Sequence, residues 1–292
     1  MTEIAQMLFK PLVFVFLAGN LIDMGLRLDI KAAISGMKNV RFMTYTLLWG
    51  FILTPALAYA IAHILPMEES YKHGLILVGL TPCAPFLAVM VDRAKGDLGL
   101  TAAFMLVSIA LTIFLLPIEL PLFIPGLTVT IWALFKPLLI TMFIPLVTGM
   151  IILYYSKTIA ARILPVLKKI TGVATLVLAI DLLILFGPGM IGSAGSFGIL
   201  SLVIFSLLTA TLPFLLAFGL ERGEKIVLVI GTTSRNVGAA IAPCVAIPDI
   251  DPRISVMVVA CMFIMIFASL IVAKYHGPKG AKKEPDGERV FM

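Results

Sequence analysis

Apolar runs of about 18 or more residues recur along this chain, close to the ~20 residues an α-helix needs to cross a bilayer core of ~30 Å. Charge is confined almost wholly to the stretches between them. In lipid only helices and closed barrels satisfy every backbone N–H and C=O internally, so such a pattern leaves little choice of architecture. Of 292 residues 61% are hydrophobic and 13% are charged. A soluble domain needs roughly a quarter of its residues charged. The chain is therefore expected to be an all-α, polytopic integral membrane protein. In a soluble protein a net charge of +6 would suggest nucleic acid. Here the basic residues sit in connections and follow topology instead, so no nucleic acid is expected as partner. Cys83, Cys244 and Cys261 all fall within apolar spans and form no disulfide framework. Ala18-Gly19 leads into polar Asn20 and Asp23, not into a small-x-small site, so the first run is expected to be a retained span.

Nine spans are predicted, at about residues 7–26, 42–65, 74–91, 98–118, 128–153, 165–187, 195–219, 226–247 and 254–273. Alternate connections are rich in Lys and Arg: Arg27, Lys31, Lys38 and Arg41, then Arg93 and Lys95, then Lys157, Arg162, Lys168 and Lys169, then Arg222 and Lys225. The opposite side carries only Lys10, Lys72 and Arg253. The positive-inside rule then places the N-terminus outside and a basic tail, 274–292, in the cytoplasm of a cell (inner or plasma) membrane.

Two spans are interrupted. The third contains Thr81-Pro82-Cys83-Ala84-Pro85, and two prolines so close remove two amide donors and must kink or unwind the helix. The eighth contains Gly231-Thr232-Thr233-Ser234-Arg235-Asn236-Val237-Gly238. A charge at bilayer depth costs at least about 2.5 kcal/mol on insertion scales, and an intramembrane ionisable residue is a functional hypothesis by default. Paired interruptions in two halves of a membrane chain point to a transport site. Ordinary proline kinks would explain either break alone, but not both beside polar or thiol groups.

Gly25-Leu-Arg-Leu28, Thr54-Pro-Ala56, Val78-Gly-Leu-Thr-Pro-Cys83, Ala94-Lys-Gly-Asp97 and Arg235-Asn236 together resemble the bile acid:sodium symporter superfamily, in order, over about residues 7–273. That resemblance implies an inverted-repeat transporter with a core (about 42–118 and 195–273) and a panel (about 7–26 and 128–187), two discontinuous helices crossing in the core, and one span fewer than ten. By the same resemblance the family's cation-binding glutamate falls at Gly231 and its neighbouring glutamine at Arg235. A further glutamine falls at Gly50, a Ser-Asn pair at Leu87-Ala88, and two hydroxyls at Thr101 and Met105. Only Asn236 and Thr101 keep the expected polarity, which leaves Thr101 as the residual cation-site candidate.

The expectation is that the Arg235 guanidinium replaces the bound ion, satisfying helix-end carbonyls or a substrate carboxylate, and that sodium coupling is weakened or absent. The substrate-binding and coupling candidates are Arg235, Asn236, Thr232, Thr233, Ser234 and Asp181, a lone carboxylate in the sixth span. The crossing candidates are Thr81, Pro82, Cys83, Pro85 and Gly231. Asp181 is the candidate partner for Arg235; the plainer reading has it facing a watery crevice or bonding a neighbouring hydroxyl.

The function expected is secondary-active movement of a small organic anion by alternating access, with Na+, H+ or no ion coupled. One alternative is arsenite or metalloid efflux through Cys83, as in the related arsenite permeases; a permanent cation suits an anion better than neutral arsenite. Another is a non-transporting receptor or assembly subunit. There is no P-loop, dinucleotide turn, metal-spaced His cluster or catalytic triad, so no enzyme activity, cofactor, catalytic residue or metal site is expected.

Overall fold

A computed structural model describes residues 2–124, 130–247 and 250–276. Among these residues the regular structure is all helical, with no β-strand. The helices, in order, are α1 (Thr2–Gly25), α2 (Ile30–Met37), α3 (Val40–Leu48), α4 (Thr54–Ile64), α5 (Glu69–Gly79), α6 (Leu87–Arg93) and α7 (Leu98–Phe123). They continue with α8 (Ile131–Leu138), α9 (Ile144–Tyr155), α10 (Lys157–Gly192), α11 (Gly198–Leu216), α12 (Arg222–Thr233), α13 (Val237–Ala246) and α14 (Pro252–His276). The tail beyond His276, and Asp249 in the connection before α14, lie outside the described residues.

Among the described residues, seven helical stretches are long and apolar enough to cross a membrane, and the chain is an integral membrane protein. Two of them are double. A π-turn, Trp49–Leu53, joins α3 to α4, and another, Leu139–Phe143, joins α8 to α9. In both, proline is the second residue of the helix that follows (Pro55, Pro145) and cannot donate to the carbonyl four back. The helix widens by one residue there instead of breaking. α10, at 36 residues, is about 54 Å long at 1.5 Å per residue, well beyond the bilayer core. Its first turns carry Lys157, Arg162, Lys168 and Lys169, so the surplus length lies at the basic end.

α1 packs against α9 and α10, and these three make one group. A second group centres on α5, α12, α13 and α14, with α4, α7 and α11 around it. α8 leans on α7 and α13 while α9 goes with α1, so the predicted fifth span is shared between the two groups.

Where α5 and α14 begin, four side chains tie the two helices together. Asp251 accepts from the Arg253 amide at 2.9 Å and pairs with its guanidinium at 2.8 Å. Ser70 donates to Asp251 at 2.6 Å, and Arg253 also pairs with Glu68. The Arg253 hydrogen bonds, with help from Ser70, hold the Asp251 carboxyl down to about 2. A depressed carboxylate stabilises the fold above its unfolded pKa of about 4 and loses that contribution as pH falls through the folded value. Asp251→Asn is expected to cost about 1 kcal/mol near neutral pH, no more because the pair is half open to solvent. Thermal unfolding in detergent should show the gap closing between about pH 4 and about pH 2; a gap unchanged across that range would mean the latch holds nothing by charge.

Candidate functional site: the crossing of two broken helices

α5 stops at Gly79 because Pro82 and Pro85 follow, and Cys83 turns the chain through φ +69° before α6 resumes at Leu87. A non-glycine residue at positive φ is costly and clusters at functional sites. α12 stops at Thr233, Ser234 is extended, and Asn236 restarts the helix by accepting the Ala239 amide on its side-chain oxygen at 3.0 Å. The two breaks lie against each other. The Asn236 amide donates to Thr81 O at 2.8 Å and the Cys83 amide donates to Ser234 O at 3.1 Å, making an antiparallel bridge between Pro82 and Arg235. Backbone that leaves the helix at membrane depth must find such partners.

Arg235 lies at this crossing, only 2% exposed. Its Nε donates to Val78 O at 3.0 Å, one terminal nitrogen to Thr232 O at 3.2 Å, and the other to Gly79 O. Val78 and Gly79 end α5, and Thr232 is in the last turn of α12. Carbonyls at a helix C-terminus have no partner within their own helix and carry the negative end of its dipole. One guanidinium thus closes two helix ends, using three of its five N–H groups. No ion pair joins it to Asp181.

The other predicted residues divide. Thr81, Thr232, Thr233 and Ser234 are fully buried. Thr81 donates to Val78 O at 3.1 Å, Thr232 to Leu228 O at 2.6 Å and Thr233 to Thr209 O of α11 at 3.1 Å. Ser234 Oγ and Asn236 Nδ2 have no partner. Asp181, on α10, is also buried, with Oδ2 unpartnered. Its neighbours Leu178 and Leu182 help line a cavity of about 20 Å3 together with Val13 of α1 and Val237 and Gly238 of α13. That is space for about one water, with apolar walls. A Cβ on Gly238 would run into the Leu17 side chain of α1. The two helix groups therefore meet closely at the start of α13.

The positions that a sodium site would need are apolar or committed elsewhere. A Cβ on Gly231 would stand 2.6 Å from the Phe104 ring, which fills the space a carboxylate would occupy. Gly50 faces Pro82, Leu87 and Met105 are buried hydrophobics, and Thr101 donates to Asp97 O at 2.7 Å. With a guanidinium already on the helix-end carbonyls, this set does not fit a sodium ion at the crossing. The free thiols of Cys83 and Cys261 are buried, and Cys244 is half-buried on α13. Among the described residues no three His, Cys, Asp or Glu side chains gather in a group fit to hold a metal.

Sequence reasoning missed Phe104 and Leu17 and, although it expected helix-end carbonyls around Arg235, did not identify Val78 and Gly79, because each comes from a distant part of the chain. It also placed Glu119 in a connection, whereas α7 runs past it to Phe123.

The sequence profile of the sodium bile acid symporter family matches residues 12–189, well over half the chain. The chain belongs to that family. Its members are transporters, and this membrane protein is one by that membership. No curated protein matches it. The matched stretch includes α5, α6 and the first break; α12, α13 and Arg235 lie beyond it.

Proposed function

We propose that this family member is a secondary transporter of a small organic anion, working by alternating access, in which Arg235 stands in for a coupling cation and sodium dependence is weak or absent. The observation that carries the reading is the guanidinium bound to the carbonyl ends of both broken helices. Carbonyl dipoles converging from two helix C-termini favour a cation, and here the cation is covalently attached.

In this reading the two interrupted elements, α5–α6 and α12–α13, cross the membrane along with the seven longer stretches, giving nine spans in two inverted repeats. α1, α9 and α10 form the panel and the helices around the crossing form the core. The basic connections face the cytoplasm of the plasma membrane and the N-terminus faces out. An anion head would meet the start of α13, where the free Asn236 amide and Ser234 hydroxyl supply donors and the helix dipole favours negative charge. The apolar cavity beside it would widen for the body of the substrate as α1 and α10 move off α13. Metalloid efflux is less well supported, since Cys83 is buried as the turning residue of its break and no set of three thiols surrounds it.

Uptake into proteoliposomes tests the reading. Flux of the anion should be the same with and without an inward sodium gradient. Strict sodium dependence would overturn it. Asp181→Asn separates transport from folding. The carboxylate oxygen has no partner in this conformation, so the neutral amide should leave the melting temperature unchanged or raise it, because an unpaired buried charge is costly. Flux should fall at least tenfold if Asp181 takes part in the cycle; undiminished flux would remove it from the site.

A further inference from the structure

A second carboxylate lies away from the crossing, and nothing above uses it. Glu119 is on the last turns of α7, between Pro117 and Pro121, and faces the junction of α3 and α4. The π-turn there pushes the backbone outward, and Phe51, Ile52, Pro55, Tyr59, Phe123 and Glu119 line an open crevice of about 330 Å3. The Tyr59 and Phe123 rings meet edge to face, 5.9 Å between centres. Ile52 and Tyr59 are exposed and form its mouth. Glu119 Oε2 is shielded from solvent and has no hydrogen-bond partner, and the carboxylate joins none of the ion pairs among the described residues. The nearby His63 ring is occupied by stacking on Tyr59 and by a 2.9 Å bond to Tyr59 O.

A part-buried carboxylate on the wall of an apolar crevice, with no cation paired to it, is unfavourable until a counter-charge reaches it. Aromatic rings present their negative faces to cations, and quaternary ammonium groups are recognised in such surroundings. The space is that of a small-ligand pocket, larger than a single water or metal ion would require. We infer that this crevice binds an organic ammonium group, with its charge on Glu119 and its methylene or methyl groups against Phe51, Tyr59 and Phe123. The inference is independent of the transport reading. The ammonium belongs either to a phospholipid headgroup, since the mouth opens on the outer surface of the helix bundle, or to a soluble amine.

Two measurements on the full chain distinguish the sources. The protein is placed in bilayers of equal phosphatidylethanolamine and phosphatidylglycerol, or equal phosphatidylcholine and phosphatidylglycerol, and the retained lipid is weighed by native mass spectrometry. In phosphatidylglycerol alone, choline and ethylammonium are titrated while thermal unfolding is followed. A headgroup ligand predicts about tenfold preference for an amine-bearing lipid, the size expected of a desolvated cation–π and charge contact. A soluble ligand predicts a saturable rise in melting temperature instead. Glu119→Gln should abolish whichever effect is seen, and Tyr59→Leu, which leaves the carboxylate in place, should weaken it severalfold. No lipid preference together with no shift by either amine overturns the inference. So does binding that survives both substitutions unchanged.

Discussion

Arg235→Gln should destabilise the protein by about 3 kcal/mol, the cost of leaving buried helix-end acceptors without the charged donor that held them. Gly79 O and Thr232 O would lose the guanidinium's bonds and Val78 O would keep those from the Thr81 amide and hydroxyl, and a glutamine amide can reach only some of the three. Arg235→Lys should fall between, because an ammonium keeps the charge but not the planar fork. The same variants test what the charge replaces. Wild-type melting should be indifferent to exchanging sodium for potassium at constant ionic strength. In Arg235→Gln the exposed carbonyls recover the capacity to attract a cation, and saturable stabilisation by sodium is the expected result. Sodium-specific stabilisation of the wild type would show that an ion site survives elsewhere and would sink the idea of an attached cation.

Gly238→Ala is the second large effect. The new methyl has nowhere to go, since Leu17 already fills the position, and overpacking of this kind costs about 1–3 kcal/mol. The clash falls between α13 and α1, so the cost is charged to the arrangement in which those helices touch. An alternating-access protein would answer by shifting towards the open arrangement, by about 5- to 150-fold in population. Cysteines introduced at Val13 and Leu178, both on the cavity wall, should become more reactive to a water-soluble maleimide. Pairing the substitution with Leu17→Ala should restore wild-type reactivity, because the two changes share one contact. Reactivity that does not move in the single variant would mean the interface is not a moving one.

The interrupted helices were legible in the sequence because their causes are local. Pro82 and Pro85 each remove an amide donor and crowd the turn before them wherever they are placed, and Asn236 is a strong cap whatever lies around it. The membrane class followed from apolar run length in the same way. Helix-end carbonyls were expected around Arg235, but which ones hold it was not legible. Its carbonyl partners at Val78 and Gly79 are 157 and 156 residues away, and backbone acceptors leave no signature in residue types. The expected partner was Asp181, the lone acidic residue of an apolar span, yet two opposite charges in the same bilayer need not meet. Phe104 was invisible for a related reason: it reads as one more apolar residue of α7, and only packing shows that it occupies the side-chain space missing at Gly231. Glu119 was misplaced by a boundary, since the mean apolarity of its span fades before the helix does.

The closure of two helix ends by one covalently held guanidinium has a bioenergetic consequence. A diffusible ion enters on one side and leaves on the other, so its gradient does work on the cargo. A charge fixed to the chain goes out and returns, and over a full cycle it moves no net charge across the field. Carrying a monovalent anion, such a cycle is answerable only to the anion's own concentrations and to the membrane voltage. An inside-negative potential of 100 mV is worth about 2.3 kcal/mol per charge, which biases a monovalent anion outward by about fiftyfold. If Arg235 does replace the coupling ion and no proton is carried in its place, such a carrier would come to rest with its anion about fiftyfold scarcer inside the cell than outside.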